Sequence, residues 1–166
     1  MKKLYIVRHA KSSWDSPDLD DFNRPLMEKG KKRTKRVIDF LLKQNVKPDL
    51  IIASAATRAV DTAKIIAWAL KYKEEDIREE SFIYHATSES LHDIFYDVPK
   101  EIESMMIVGH NPTFTSFANY FLDDKIDWLP TSAVVCIQFD VEKWEDADRM
   151  NAKLRFYIYP KQLKGD

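Results

Sequence analysis

A short apolar run, Leu4-Tyr5-Ile6-Val7, stops abruptly on Arg8-His9. Aliphatic, aromatic and β-branched residues in so short a run read as a buried strand. A core strand that ends on a guanidinium and an imidazole delivers both to its carboxyl end. Open α/β sheets place their ligand crevices there. Small Ala10 and the hydroxyls of Ser12 and Ser13 follow directly, so this strand end predicts an anion pocket on a rigid edge. The plainer alternative is that Arg8 and His9 simply step into solvent.

Two further runs behave in the same way. Leu50-Ile51-Ile52-Ala53 leads into Ser54, and Met105-Met106-Ile107-Val108 leads into Gly109-His110-Asn111-Pro112. Helical patterns separate them. Pro25 is placed to open the first helix. Gly30, Thr34, Val37, Ile38, Leu41 and Leu42 fall on one arc of it, with Phe40 as an exception on the charged side. The basic cluster from Lys29 to Arg36 reads as a solvated helix face, with a docking surface for an acidic partner as the alternative. Small and aliphatic residues recur at helical spacing from Ala59 to about Tyr72, and a further helix is expected over Thr113 to Leu122.

Weaker signals predict a connection over Glu74 to Glu80, a short strand near Phe82 and Ile83, and a helix around Leu91 to Tyr96. Val135, Ile137, Phe139 and Val141 alternate with polar or smaller neighbours, as do Leu154, Phe156 and Ile158. They predict an antiparallel hairpin closing the chain. Strands alternating with helices argue for an α/β fold with a mostly parallel sheet covered on both faces. The length of 166 residues suits one domain, 1–166.

Charge narrows the function. Lys and Arg total 26 against 27 Asp and Glu, which excludes a nucleic-acid binder driven by bulk charge. Three glycines leave no glycine-rich nucleotide loop. The single Cys136 lies in an apolar run and reads as a small buried hydrophobe. With no long apolar segment, neither a signal peptide nor a membrane span is expected, and the predicted location is cytoplasmic.

In a parallel sheet the three strand ends share one edge, where Arg8, His9, Ser54 to Arg58 and His110 would converge. Two imidazoles and two guanidiniums repel one another unless the crevice receives an anion. Arg is suited to forked contact with phosphate oxygens. The same cations would repel a divalent metal and few carboxylates are at hand, so no metal and no cofactor is expected.

Arg8-His9-Ala10, Ser54 through Arg58-Ala59-Val60-Asp61-Thr62-Ala63, and Gly109-His110-Asn111-Pro112 resemble the histidine phosphatase (phosphoglycerate mutase-like) superfamily. Arg8-His9-Ala10-Lys11-Ser12, with Asp21-x-x-Arg24-Pro25-Leu26-x-x-x-Gly30, is most similar to its SixA-type phosphohistidine phosphatases. Ala10 stands where the wider superfamily usually has Gly.

The resemblance implies a three-layer α/β/α sandwich and a phosphorylated-histidine intermediate. It makes His9 the nucleophile and Arg8, Arg58 and His110 the clamp on the phosphoryl oxygens. Ser12, Arg24 and Asn111 would contact or orient the substrate. The proton donor is open between Asp21, at the position SixA-type proteins offer, and Glu80 or Glu89. His85 and His92 read as surface or satisfied core histidines, and Trp14 could wall the substrate.

The activity so implied is a metal-independent phosphatase acting on protein phosphohistidine, with an acidic phosphorelay-type protein as the partner. A small phosphorylated metabolite as substrate, for a phosphomonoesterase or mutase, is the alternative. A non-catalytic phosphate-binding module is a third reading, opposed by the presence of His9, because a pure binder needs only the clamp.

Overall fold

The structure, a computed structural model, describes residues 1–13 and 20–164. Its strands are β1 (Lys2–Arg8), β2 (Leu50–Ser54), β3 (Arg78–Glu80), β4 (Ser104–Gly109), β5 (Val134–Phe139) and β6 (Ala152–Ile158). They form one six-stranded sheet in the order β3-β2-β4-β1-β5-β6. β1 to β4 run parallel, while β5 lies antiparallel to β1 and pairs with β6 as the C-terminal hairpin.

The apolar runs are continuous because both faces of the sheet are covered. Leu4 and Ile6 of β1 belong to one core cluster, and Tyr5 and Val7 to the other. Met105 and Ile107 alternate with Met106 and Val108 of β4 in the same way. Helices α1 (Glu28–Lys43) and α2 (Thr57–Ala69) cover the Tyr5 face through Val37, Leu41, Ala63 and Ile66. Short helices α3 (Ser81–His85) and α4 (Ser88–Leu91), with α5 (Thr113–Tyr120), cover the other through Ile83, Leu91, Phe114 and Phe117. The result is the expected three-layer sandwich.

This topology opens a crevice. β1 and β4 are neighbours, yet β1 leads to α1 on one face and β4 to α5 on the other. Chains that leave adjacent parallel strands toward opposite faces separate at the carboxyl ends, which is where His9 and His110 emerge.

Several elements differ from expectation at their edges. The first helix begins at Glu28, not at Pro25, because Leu26 bridges Ser12 and Met27 donates its N–H to the Lys11 carbonyl at 2.9 Å. That pairing holds the segment extended until the chain has passed the loop. Leu42, placed on the apolar arc, is 47% exposed, while Phe40 packs edge-on against Phe156 of β6. The strand expected at Phe82 and Ile83 lies instead at Arg78–Glu80 within the supposed connection, and Phe82 and Ile83 are helical in α3. The helix expected from Leu91 to Tyr96 is α4 followed by a 3-10 turn, His92–Tyr96. β5 is buried on both faces, so its alternation was only apparent.

Gly30 fixes α1 against the loop that carries the strand-end residues. A methyl group there would lie 2.4 Å from the Lys11 carbonyl oxygen, and a backbone oxygen held by Met27 cannot swing aside. Gly30→Ala is expected to lower stability by about 1–3 kcal/mol despite the better helix propensity of Ala. Urea unfolding measures this, and an unchanged or raised midpoint contradicts the close approach.

Candidate active site

The loop after β1 is tied down on both sides. The His9 N–H donates to the Gly109 carbonyl at 3.0 Å, and Ser132 donates its N–H to the Arg8 and His9 carbonyls at 3.1 Å. The Ala10 N–H donates to Thr62 Oγ1 of α2 at 2.9 Å, and that hydroxyl donates to the Arg58 carbonyl at 2.7 Å. The loop that carries His9 and the backbone of Arg58 are therefore tied together through the Thr62 hydroxyl, before any ligand arrives.

His9 is 6% exposed, and its Nδ1 lies 2.7 Å from the Ala10 carbonyl oxygen. A carbonyl can only accept, so Nδ1 carries the proton and Nε2 the lone pair. Burial pushes the imidazole pKa down to about 3, with His110, Arg58 and Arg8 adding to the effect and the Ala10 bond opposing it. The ring is neutral at pH 7, with a free nucleophilic nitrogen.

His110 follows β4, with its ring centre 5.4 Å from that of His9. Burial, then the positive charge of Arg58, lowers it to about 3 as well. Its Nε2 is 2.6 Å from the Oγ of Ser54, at the end of β2. Arg8 donates from Nη1 to the Leu129 carbonyl at 2.9 Å and lies over the Trp128 ring. Arg58, 5% exposed in the first turn of α2, donates Nη1 to the Asp21 carbonyl at 2.6 Å and Nη2 to Asp21 Oδ2 at 3.0 Å.

Arg8 Nε, Arg58 Nε and His110 Nδ1 are buried without a hydrogen-bond partner among the described residues. Orphaned buried donors are costly, and such groups converging on one crevice suit an incoming multi-oxygen anion. The cleft they line has a volume of about 520 Å³ and, among the described residues, presents Arg8, Lys11, Arg24, Arg33 and Arg58 against one carboxylate, Asp21.

Asp21 sits in a 3-10 turn, Asp21–Asn23, at the cleft rim. Its Oδ1 accepts from Arg24 Nε at 3.0 Å, and its Oδ2 accepts from the Tyr84 hydroxyl at 2.5 Å as well as from Arg58. Partial burial works against its charge, but Tyr84, Arg58 and Arg24 outweigh that and hold its carboxyl down at about 2. Asp21 is thus an ionised anchor for two arginines.

The structure brings together Arg8, His9, Ser12, Asp21, Arg24, Arg58, His110 and Asn111. Ser12 accepts from Arg24 Nη1 at 2.5 Å. The Asn111 side chain donates to the Leu129 carbonyl at 2.8 Å and accepts from Thr115, so it braces the start of α5 at the edge of the cleft. Glu80 and Glu89 do not line the cleft: Glu80 pairs with Arg78, and Glu89 lies exposed on α4. His92 packs among Phe117 and Tyr120, and His85 is an exposed residue against Tyr84. Trp14 lies outside the described residues.

Tyr84, Trp128, Arg33 and Thr131 are additions that sequence reasoning missed. Arg33 had a signal in the basic cluster read as solvated. Trp128, an aromatic next to Leu129-Pro130 in a polar loop, had a weak one. Tyr84 had none. Among the described residues, no group of three or more His, Cys, Asp or Glu could hold a metal ion, and no helix is long and apolar enough to cross a membrane.

Comparison with known proteins places this geometry in context. The chain superposes on the protein described as phosphohistidine phosphatase SixA from Agrobacterium tumefaciens with a TM-score of 0.80 and 26% identity, over 96% of this chain and 98% of that one. The protein histidine phosphatase SixA complexed with tungstate matches with a TM-score of 0.76 and 18% identity, over 98% and 99%, a likeness of fold. A chloroplastic protein of Arabidopsis thaliana is 30% identical over 155 residues, 88% of this chain and 70% of its own. The model of the histidine phosphatase superfamily (branch 1) matches residues 4–103. The chain belongs to that superfamily, and it is a phosphatase of the hydrolase class.

Proposed function

We propose that the chain, acting as one domain, is a metal-independent phosphohistidine phosphatase in which His9 is the nucleophile. The single observation that carries this is the His9 tautomer: Nδ1 is committed to the Ala10 carbonyl, and Nε2 keeps its lone pair beside buried polar groups that have no partner among the described residues. Nε2 attacks phosphorus in line, forming an N–P bond as the bond to the leaving group breaks. Arg8, Arg58 and the Nδ1 of His110 receive the charge that spreads over the equatorial oxygens. Water then attacks the phosphohistidine, releasing phosphate and restoring neutral His9.

The leaving group decides between substrate classes. Asp21 is the only carboxylate lining the cleft among the described residues, and its carboxyl is held down at about 2. Such a group is almost wholly ionised at neutral pH and makes a poor proton donor. An alkyl alkoxide leaves badly without a donor. The ring of a substrate phosphohistidine can take a proton from solvent on its distal nitrogen, the site that titrates at about 6.5 in a free side chain, and then leaves as neutral imidazole from a labile P–N bond without a positioned acid. The same argument weighs against the small-molecule phosphomonoesterase or mutase.

Wild-type enzyme is expected to hydrolyse phosphohistidine with a kcat/KM at least about 100-fold above that for an alkyl phosphate, the scale of a missing general acid. Because Asp21 acts through the two arginines it holds, Asp21→Asn is expected to lower kcat/KM for phosphohistidine and for the alkyl phosphate by similar factors, whereas a selective loss on the alkyl phosphate would make Asp21 a proton donor. A wild-type preference for the alkyl phosphate sinks the phosphohistidine assignment.

Arg58→Ala removes a preorganised donor and is expected to reduce kcat/KM by roughly 100-fold or more, about 3 kcal/mol. Because cations line the cleft, chelators are expected to leave the activity unchanged. Activity lost to a chelator and restored by a divalent ion contradicts the assignment of the pocket.

A further inference from the structure

A second cleft opens beside the first. It has a volume of about 350 Å³, and Arg33 and Thr131 line both clefts, so the two are adjacent. Its floor is apolar, made by Pro130, Tyr159 and Pro160. Its rim carries Arg33 and Arg36, one helical turn apart on α1, with Lys161 and Lys164 from the segment after β6. Among the described residues none of these four cations forms an ion pair, although the chain as a whole carries a net charge of −1. Lys11, in the first cleft, is held below its ordinary value by Lys29 first and by Arg33 more weakly. Like charges are concentrated here with no acidic partner among the described residues, and α1 contributes to both clefts through Arg33.

We propose that this second cleft docks an acidic polypeptide segment next to the phosphorylated residue of a protein substrate. The proposal rests on the phosphatase reading above and adds the partner's chemistry to it. A phosphoryl group and an imidazole need only the first cleft. The apolar floor beneath a cationic rim suits an extended chain that carries carboxylates among apolar side chains. Arg33 bridges the two sites, so seating the acidic segment brings the phosphorylated residue toward His9.

The test uses two fluorescent peptides of about ten residues, each with a non-hydrolysable phosphohistidine mimic, one flanked by Glu and Leu and the other by Gln and Leu. At low salt the Glu peptide is expected to bind wild type about tenfold tighter than the Gln peptide, and added salt is expected to erase the difference. The variant Arg36→Glu/Lys161→Glu/Lys164→Glu, which spares every residue of the first cleft, is expected to lose that preference while turning over free phosphohistidine at the wild-type rate. Equal binding of both peptides to wild type overturns the proposal, as does a preference that survives charge reversal. Reversal that weakens a small bisphosphate but neither peptide overturns it in favour of a small polyanion. The binding measurement stays readable if free phosphohistidine is not hydrolysed, an outcome that counts against the phosphatase reading alone.

Discussion

Everything at this site depends on one hydrogen bond, from Nδ1 of His9 to the carbonyl of the next residue, Ala10. It fixes the proton on one nitrogen and leaves the other as a lone pair, while burial keeps the ring uncharged. A charged imidazole could not act as a nucleophile, and a free one would sample both tautomers. The bond is possible because the loop after β1 is itself held by Gly109, Ser132 and Thr62, from three different parts of the chain. The tautomer is thus a consequence of packing around the sheet edge.

The second constraint is repulsion. Among the described residues, five cationic side chains face one cleft with a single carboxylate between them. Asp21 relieves part of that by pairing with Arg24 and Arg58 at once, and its position below Tyr84 fixes both guanidiniums in place. A carboxylate so engaged is well suited to alignment and poorly suited to giving up a proton. On the proposed reading this single fact links electrostatics to substrate choice, because a labile P–N bond does not need what Asp21 cannot readily supply.

The parts legible in the sequence were those set by local pattern. Continuous apolar runs at Leu4, Leu50 and Met105 can only be strands covered on both faces, and their polar endings marked the edge where the cleft lies. Edges of elements were less legible, since a tertiary contact decided them: the Ser12–Leu26 bridge delays α1, and the pairing of β2 with Arg78–Glu80 moves a strand out of the apolar Phe82-Ile83 pair. Tyr84 and Trp128 were invisible as site residues because Tyr84 reaches Asp21, and Trp128 the cleft, from a short helix and a loop whose placement no periodicity encodes. Arg33 was visible as a charge but not as a direction. Lys31, Lys32 and Lys35 beside it on α1 do face solvent, and the packing of that helix against Lys11 sets Arg33 at the cleft.

The most direct measurement is to quench the working enzyme in mild alkali within one turnover and locate the phosphoryl group by tandem mass spectrometry and phosphorus NMR. The account predicts an acid-labile, base-stable phosphoryl group on Nε2 of His9, formed fast enough to lie on the reaction path and absent from His9→Asn. A phosphoryl group on another residue, or near-normal turnover by His9→Asn, contradicts it.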